Sequence, residues 1–425
     1  MKSRLSPISA LLISFFIFFA ACSDLPSKDI IRPEEIKSMR LVVYDKPTYA
    51  KLAEQWKEYY EAFPSEYAYA HWMRAADYAD DSSYWKLLDK GLKKYPANPT
   101  LLYLKSLERA GSHDNTEARG YLERAASLDP GFIDPWFALI PNYMDVRDEE
   151  RFNLALRRIL ESGVIADEVF DFNFNMISAL EPNAILITNG DNDTFPGWIL
   201  SRILKFRPDV TVVNRSLLNT GWYPLYVIEQ GLPRFVEEKQ IDSIRNYILE
   251  AVKAGKRKPS SGIFSDTLLY RITESAKTAG RPVYLSKTLF MTDEIRPLFE
   301  KGRDLGMTVL VSPSEKPYAR QLQETFETWL QSFRTAGLES WRLRNSPRFD
   351  AGRYLVQGYG LHIATNLASL KTHAPQLVEP LFKWYIKYVE PVESEENRGR
   401  IAQAWCGMKD IEEISEWCRK QGINK

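Results

Sequence analysis

The chain has 425 residues, of which 44% are hydrophobic, 13% aromatic and 26% charged, which is the composition of a folded globular protein with ample core. Fifty-six basic residues balance fifty-six acidic ones, so there is no net positive field of the kind that collects nucleic acid, and nucleic acid is excluded as a partner. Three Cys and four His are too few and too scattered for a zinc-finger framework, a disulfide-rich scaffold or an iron–sulfur site.

The first segment is a leader. Lys2 and Arg4 supply a short positive region, Ile8 to Phe19 is an apolar run of signal-peptide length, and Phe19-Ala20-Ala21-Cys22 places small residues directly before a cysteine. This resembles a bacterial lipoprotein leader, which implies cleavage of 1–21 and acylation (palmitate) of Cys22 as the first mature residue. The run is short for spanning about 30 Å of hydrocarbon, which disfavours a membrane anchor. Ser23, not Asp, follows the cysteine, and within that resemblance this points to the outer membrane of a Gram-negative envelope. Residues 22–48 are expected to form a tether.

From 49 to 165 the dominant signal is self-similarity. Pro64, Pro96 and Pro130 recur at intervals of 32 and 34 residues, the period of helix-turn-helix solenoids. Ala118, Leu122 and Ala125 stand twelve, eight and five residues before Pro130, and Tyr84, Leu88 and Gly91 hold the same offsets before Pro96. The segment resembles tetratricopeptide repeats, in which those positions pack between helices and a concave groove receives a protein partner. The many aromatic residues here, such as Trp56 and Tyr60, are expected mainly in the core. His71 and His113 have no metal-spaced partner and read as surface or structural residues.

From 166 to 315 the pattern changes to alternating strands and helices. Ala184–Thr188, Asp209–Asn214, Pro282–Ser286 and Met307–Val311 are short apolar runs rich in β-branched residues, suited to strands covered on both faces. Helical stretches are expected at Gly197–Phe206, Ile241–Ala254, Ile263–Thr278 and Asp293–Leu305, so a small parallel sheet is predicted. The basic stretch Lys253–Gly262 reads as a solvated loop. Residues 316–425 read as a helical module, with Gln321–Phe333 as one helix and Ala402–Cys418 as a closing pair. The fold class is therefore α and α/β: an N-terminal helical-repeat solenoid, a small parallel-sheet α/β domain and a C-terminal helical module. Cys406 and Cys418 would lie about 18 Å apart on one continuous helix, too far for a disulfide, although an oxidising compartment would admit one.

The most distinctive string is Thr188-Asn189-Gly190-Asp191-Asn192-Asp193-Thr194-Phe195-Pro196, at the carboxyl end of a strand, where open α/β sheets place ligands. With Asn214-Arg215-Ser216-Leu217-Leu218-Asn219-Thr220 it resembles the soluble α/β region of bacterial membrane proteins akin to protein O-mannosyltransferases, over about 165–315. The resemblance implies no chemistry, because the sugar-transferring membrane part has no counterpart in this sequence. Candidate ligand-binding residues are Asn189, Asp191, Asn192, Asp193, Thr194, Asn214 and Asn219. Asp191 and Asp193 are the candidate ligands for a divalent cation, and no other cofactor is implied. Against this stands a structural role, with Asp193 or Thr194 capping the next helix and Pro196 in its first turn. No catalytic residue can be named. The sequence thus favours a lipid-anchored envelope scaffold that binds a protein or a glycan, the membrane being met through the lipid. An envelope enzyme acting on glycans or phosphorylated carbohydrate at the Asp191/Asp193 loop is the alternative.

Overall fold

The computed structural model describes residues 30–108, 115–256, 262–312, 314–345, 351–408 and 410–423. The leader, Cys22, the first part of the tether, His113 and part of the basic Lys253–Gly262 stretch lie outside the described residues. Among the described residues no helix is long and apolar enough to cross a membrane. The chain divides into two units, one containing residues 45–91 with the segment up to Ile36, the other containing 37–44 with 92–425.

In the first unit, helices α1 (Lys46–Ala62) and α2 (Glu66–Tyr78) lie against each other across the Phe63-Pro64-Ser65 link, and α3 (Tyr84–Lys94) begins in the same unit. Asp45 and Ser65 accept the N–H groups of Thr48 and Ala68, which fixes where α1 and α2 start. Trp56 is fully buried and stacks on His71 with ring centroids 4.7 Å apart. His71 Nδ1 accepts the N–H of Ile36, and burial holds the imidazole neutral by lowering its pKa to about 4. His71 is thus a structural residue. Gly91 is small for a specific reason: a Cβ there would lie 2.3 Å from the Tyr69 ring, whose hydroxyl donates to the carbonyl of Leu87. Part of the stretch expected to be tether is packed, since Ile36 is buried and Trp56 Nε1 donates to the Glu34 carbonyl.

The second unit opens with α4 (Pro99–Leu107), α5 (Thr116–Leu128), α6 (Asp134–Asp145) and α7 (Glu149–Ser162), packed in consecutive pairs. Ala118, Leu122 and Ala125 are all buried on α5, as the offsets from Pro130 require. Then α8 (Asp167–Ser178) leads into the sheet: β1 (Ile185–Thr188), α9 (Asp191–Trp198), β2 (Thr211–Asn214), α10 (Tyr223–Glu229), α11 (Glu238–Lys253), α12 (Ile263–Thr278), β3 (Val283–Ser286), α13 (Arg296–Lys301), β4 (Arg303–Leu305) and β5 (Thr308–Leu310). The strand order is β2-β1-β3-β5-β4. β1 pairs in parallel with β2 and β3, Ile187 standing opposite Val213 and Leu285.

The sheet is mixed, which corrects the expectation of a purely parallel one. β5 runs antiparallel to both β3 and β4. The cause is a tight hairpin: Gly306, at φ +75°, reverses the chain between β4 and β5, a conformation that glycine adopts without steric cost. The predicted helix over Asp293–Leu305 is correspondingly shorter, ending at Lys301 before β4.

The C-terminal part is helical, from α14 (Tyr318–Ser332) through a series of short helices to Glu395–Trp405 and Glu412–Lys420. Cys406 and Cys418 are disulfide-bonded, their Cα atoms 5.8 Å apart. The chain turns between the last two helices, so the separation expected along one helix does not apply. Buried apolar residues from Leu122 to Cys418 form one continuous core, so the helices before the sheet, the sheet and the C-terminal helices of this unit are stabilised together.

Candidate functional site

The Asn189-to-Pro196 string is the first turns of a helix. α9 starts at Asp191, six residues earlier than the apolar pattern indicates, and continues as a π-helical turn over Ile199–Ile203. Both oxygens of Asp193 fold back onto the turn, Oδ2 accepting the N–H of Asn189 at 2.7 Å and Oδ1 that of Gly190 at 2.8 Å. The Thr288 hydroxyl donates to Oδ2 as well. Burial pushes the Asp193 carboxyl above the ordinary carboxylate range, opposed by these three donors. Pro196 sits inside the helix and cannot donate to the carbonyl of Asn192, which instead accepts Asn173 Nδ2 at 2.8 Å. The N-cap is Gly190, and Asp193, three residues on, accepts its N–H, so Asp193 serves the helix start as the structural reading expects, while Thr194 lies one residue further in.

The predicted residues separate into three groups. Thr194 and Asn214 are buried in a chain that ties strands to helix: Thr188 Oγ1 lies 2.6 Å from Thr194 Oγ1, Asn214 Nδ2 donates to Thr194 Oγ1 at 3.0 Å, and Asn214 Oδ1 accepts the N–H of Leu217. With Asp193 they are structural. Asp191 and Asn192 border a second, small cavity of about 40 Å³ together with Arg40, Phe137 and Arg342. Asp191 is half-exposed and its Oδ2 is 3.0 Å from Arg40 Nη2, while the Arg40 guanidinium lies 3.6 Å from the centroid of Phe137. Asp191 and Asp193 therefore have different partners, Asp191 facing Arg40 and Asp193 the N–H groups of Asn189 and Gly190. Among the described residues no group of three or more His, Cys, Asp or Glu is placed to hold a metal ion.

Asn189 and Asn219 remain, and they line a cleft of about 280 Å³ with Arg215, Ser216, Gly262, Ser265, Phe290 and Thr292. Its walls come from the carboxyl ends of all three parallel strands: Asn189 follows β1, Arg215 and Ser216 follow β2, and Phe290 and Thr292 follow β3. β1 lies between strands reached by connections leading to opposite sides of it, the position at which open α/β sheets open a crevice. Arg215 is buried at the cleft, donating through Nε to Asp266 Oδ1 at 2.7 Å with Nη2 at 2.6 Å from the same oxygen. Thr292 Oγ1 donates to Asp266 Oδ2 at 2.8 Å. Burial pushes the Asp266 carboxyl upward, and the Thr292 hydroxyl and Arg215 guanidinium hold it down. Asn219 Oδ1 accepts the N–H of Ser265, and the Ser216 hydroxyl donates to the Asn189 carbonyl. Arg215 and Ser216 stand in the second quoted string, and the strand-end rule that singled out Asn189 applies equally to 287–292 after β3. Asp266 and Ser265 carry no such signal, because they open a helix remote in sequence.

The sequence profile of the family described as TMEM260-associated domain 2 matches residues 169–243, from α8 through β1, α9 and β2 into α11. The matched segment lies within the 165–315 stretch that carries the quoted strings. No curated protein and no solved structure matches the chain.

Proposed function

We propose that the protein is a lipid-anchored scaffold of the bacterial cell envelope that holds a protein or glycan partner at the Asn189–Asn219–Phe290 cleft, with the helical repeats as a further contact surface. The observation that carries this reading is the cleft itself, polar, open and built from three strand ends. Binding without chemistry is favoured over the enzyme alternative by the state of the carboxylates. Asp193 and Asp266 are occupied by protein donors, and Asp191 faces Arg40 at another cavity. Acylation of Cys22 rests on the leader pattern, and the Cys406–Cys418 disulfide suits an oxidising compartment.

The test is capture from detergent-solubilised native membranes with wild-type protein and with Ser216→Trp, which fills the cleft from an exposed position. A partner recovered with wild type and depleted at least tenfold with the variant supports the proposal. The same partner set with both proteins overturns it.

A further inference from the structure

Phe290 has an unusual combination of properties. Its side chain is 72% exposed, yet its backbone is held at both polar atoms, the N–H donating to Asn189 Oδ1 at 3.2 Å and the carbonyl accepting Arg215 Nη1 at 2.9 Å. The fold uses the main chain of this residue and leaves its side chain exposed beside the cleft. An exposed aromatic ring on a residue that lines a polar cleft offers a face to a ligand. The remaining side chains of the lining are Asn189, Ser216, Asn219, Ser265 and Thr292, all neutral hydrogen-bonding groups, and Arg215, whose charge is matched by Asp266. Asn189 Oδ1 accepts the Phe290 N–H, while Asn189 Nδ2 has no partner among the described residues.

Each property narrows the ligand. Anions are disfavoured because Arg215, the one cation of the lining among the described residues, is already paired in a buried contact, and a phosphate would have to compete with Asp266 for it. The lining hydroxyls and amides bond mostly within the protein, Ser216 to the Asn189 carbonyl and Asn219 Nδ2 to the Ser216 carbonyl, but a purely apolar ligand is disfavoured because it would leave Asn189 Nδ2 and the second N–H and lone pairs of Asn219 and Ser216 without water or a replacement. A pyranose ring meets both demands: its C–H face lies on an aromatic ring, whose face is electronegative, and its hydroxyls both donate and accept. The volume of about 280 Å³ is at the small end of ligand pockets, about 300–1,000 Å³, so the cleft suits one sugar ring. Resting on the reading of the cleft as the binding site, we infer that it takes a single uncharged hexopyranose unit, free or at the end of a glycan chain, stacked on Phe290 and hydrogen-bonded to Asn189, Ser216 and Asn219.

The experiment is calorimetric titration of the purified full-length protein in a polyoxyethylene detergent, which has no sugar headgroup to compete. The probes are the methyl gluco-, galacto- and mannopyranosides, the matching hexose 6-phosphates, glucuronate, inorganic phosphate, and oligosaccharides ending in the same hexoses. At least one methyl hexopyranoside binds, its 6-phosphate binds at least tenfold more weakly, and Phe290→Ala weakens it about tenfold with the circular dichroism spectrum unchanged. Tighter binding of the oligosaccharide identifies a glycan end, and equal binding a free hexose; both support the inference. Preference for phosphate or glucuronate, or no binding of any neutral hexoside, overturns it. If no sugar binds but Ser216→Trp still strips a partner in membrane capture, the inference falls and the scaffold proposal stands. If capture is indifferent to Ser216→Trp, the scaffold proposal falls even if a hexoside binds the purified protein.

Discussion

Arg215 and Asp266 form an ion pair with almost no solvent access, the side chains being 6% and 0% exposed. It joins the end of β2 to the first turn of α12, and the third anchor of Arg215, the Phe290 carbonyl, adds the segment after β3. Removing one member of such a pair leaves a buried charge without compensation, which typically costs about 3–5 kcal/mol. Asp266→Asn is therefore expected to lose stability of that order in urea denaturation, and Arg215→Met/Asp266→Leu less than the sum of its single changes. A loss below about 1 kcal/mol for Asp266→Asn would show that water reaches the guanidinium.

The two aspartates of the acidic string have opposite expected behaviour. Asp193→Asn keeps one acceptor oxygen where two are used, and turns an NH2 group toward a backbone donor. It should destabilise the protein by about 1–3 kcal/mol. Asp191→Asn loses only a half-exposed pair with Arg40 and should change stability by about 0–1 kcal/mol. Thermal denaturation of the two variants in parallel distinguishes them, and equal effects would contradict the assigned geometry.

Stability should also depend on Glu393. Its Oε1 accepts the Ser394 N–H, its Oε2 is buried with no partner among the described residues, and burial pushes its pKa up to about 7 from an ordinary 4.5. The folded state holds this proton more tightly than the unfolded chain does. The contribution is thus fully present below about pH 4.5 and is lost as pH rises to about 7, by on the order of 3 kcal/mol at most. Glu393→Gln should flatten the wild-type fall in denaturation midpoint across that interval; an unchanged slope would place the proton elsewhere.

Ala125 and Gly91 give a packing test. Ala125 is completely buried on α5, and extra volume there overpacks at a typical cost of about 1–3 kcal/mol. Gly91→Ala should do the same through the Tyr69 ring, and Gly91→Ala/Tyr69→Ala should recover part of the loss that Tyr69→Ala and Gly91→Ala show separately. Full stability of Ala125→Leu would mean that α5 is packed differently.

The strands that the sequence reveals are those with continuous β-branched runs, β1, β2, β3 and β5. β4 escapes because Arg303-Asp304-Leu305 is a three-residue edge strand with no such run, and with it escapes the antiparallel hairpin. The start of α9 escapes because its first turn is made of Asp, Asn and Thr, which favour turns, and because Pro196 reads as a helix opening when Asn173 in fact serves the carbonyl that Pro196 leaves unbonded. Two of the seven predicted ligand residues line the cleft. The other five serve the fold or a separate cavity, since polarity and strand-end position do not tell which way a side chain turns. The Cys406–Cys418 bond depends on a turn whose geometry spacing alone does not specify.

The central claim, that a partner occupies the cleft in the cell envelope, is tested most directly by placing a photoreactive benzoylphenylalanine at the exposed Phe290 in living cells, with Lys239 on an exposed turn of α11 as the control position. Irradiation should give a discrete adduct from position 290 that is absent from 239 and absent from the 290 probe when Ser216→Trp is also present. No adduct at 290, or the same adducts from both positions, would contradict the account.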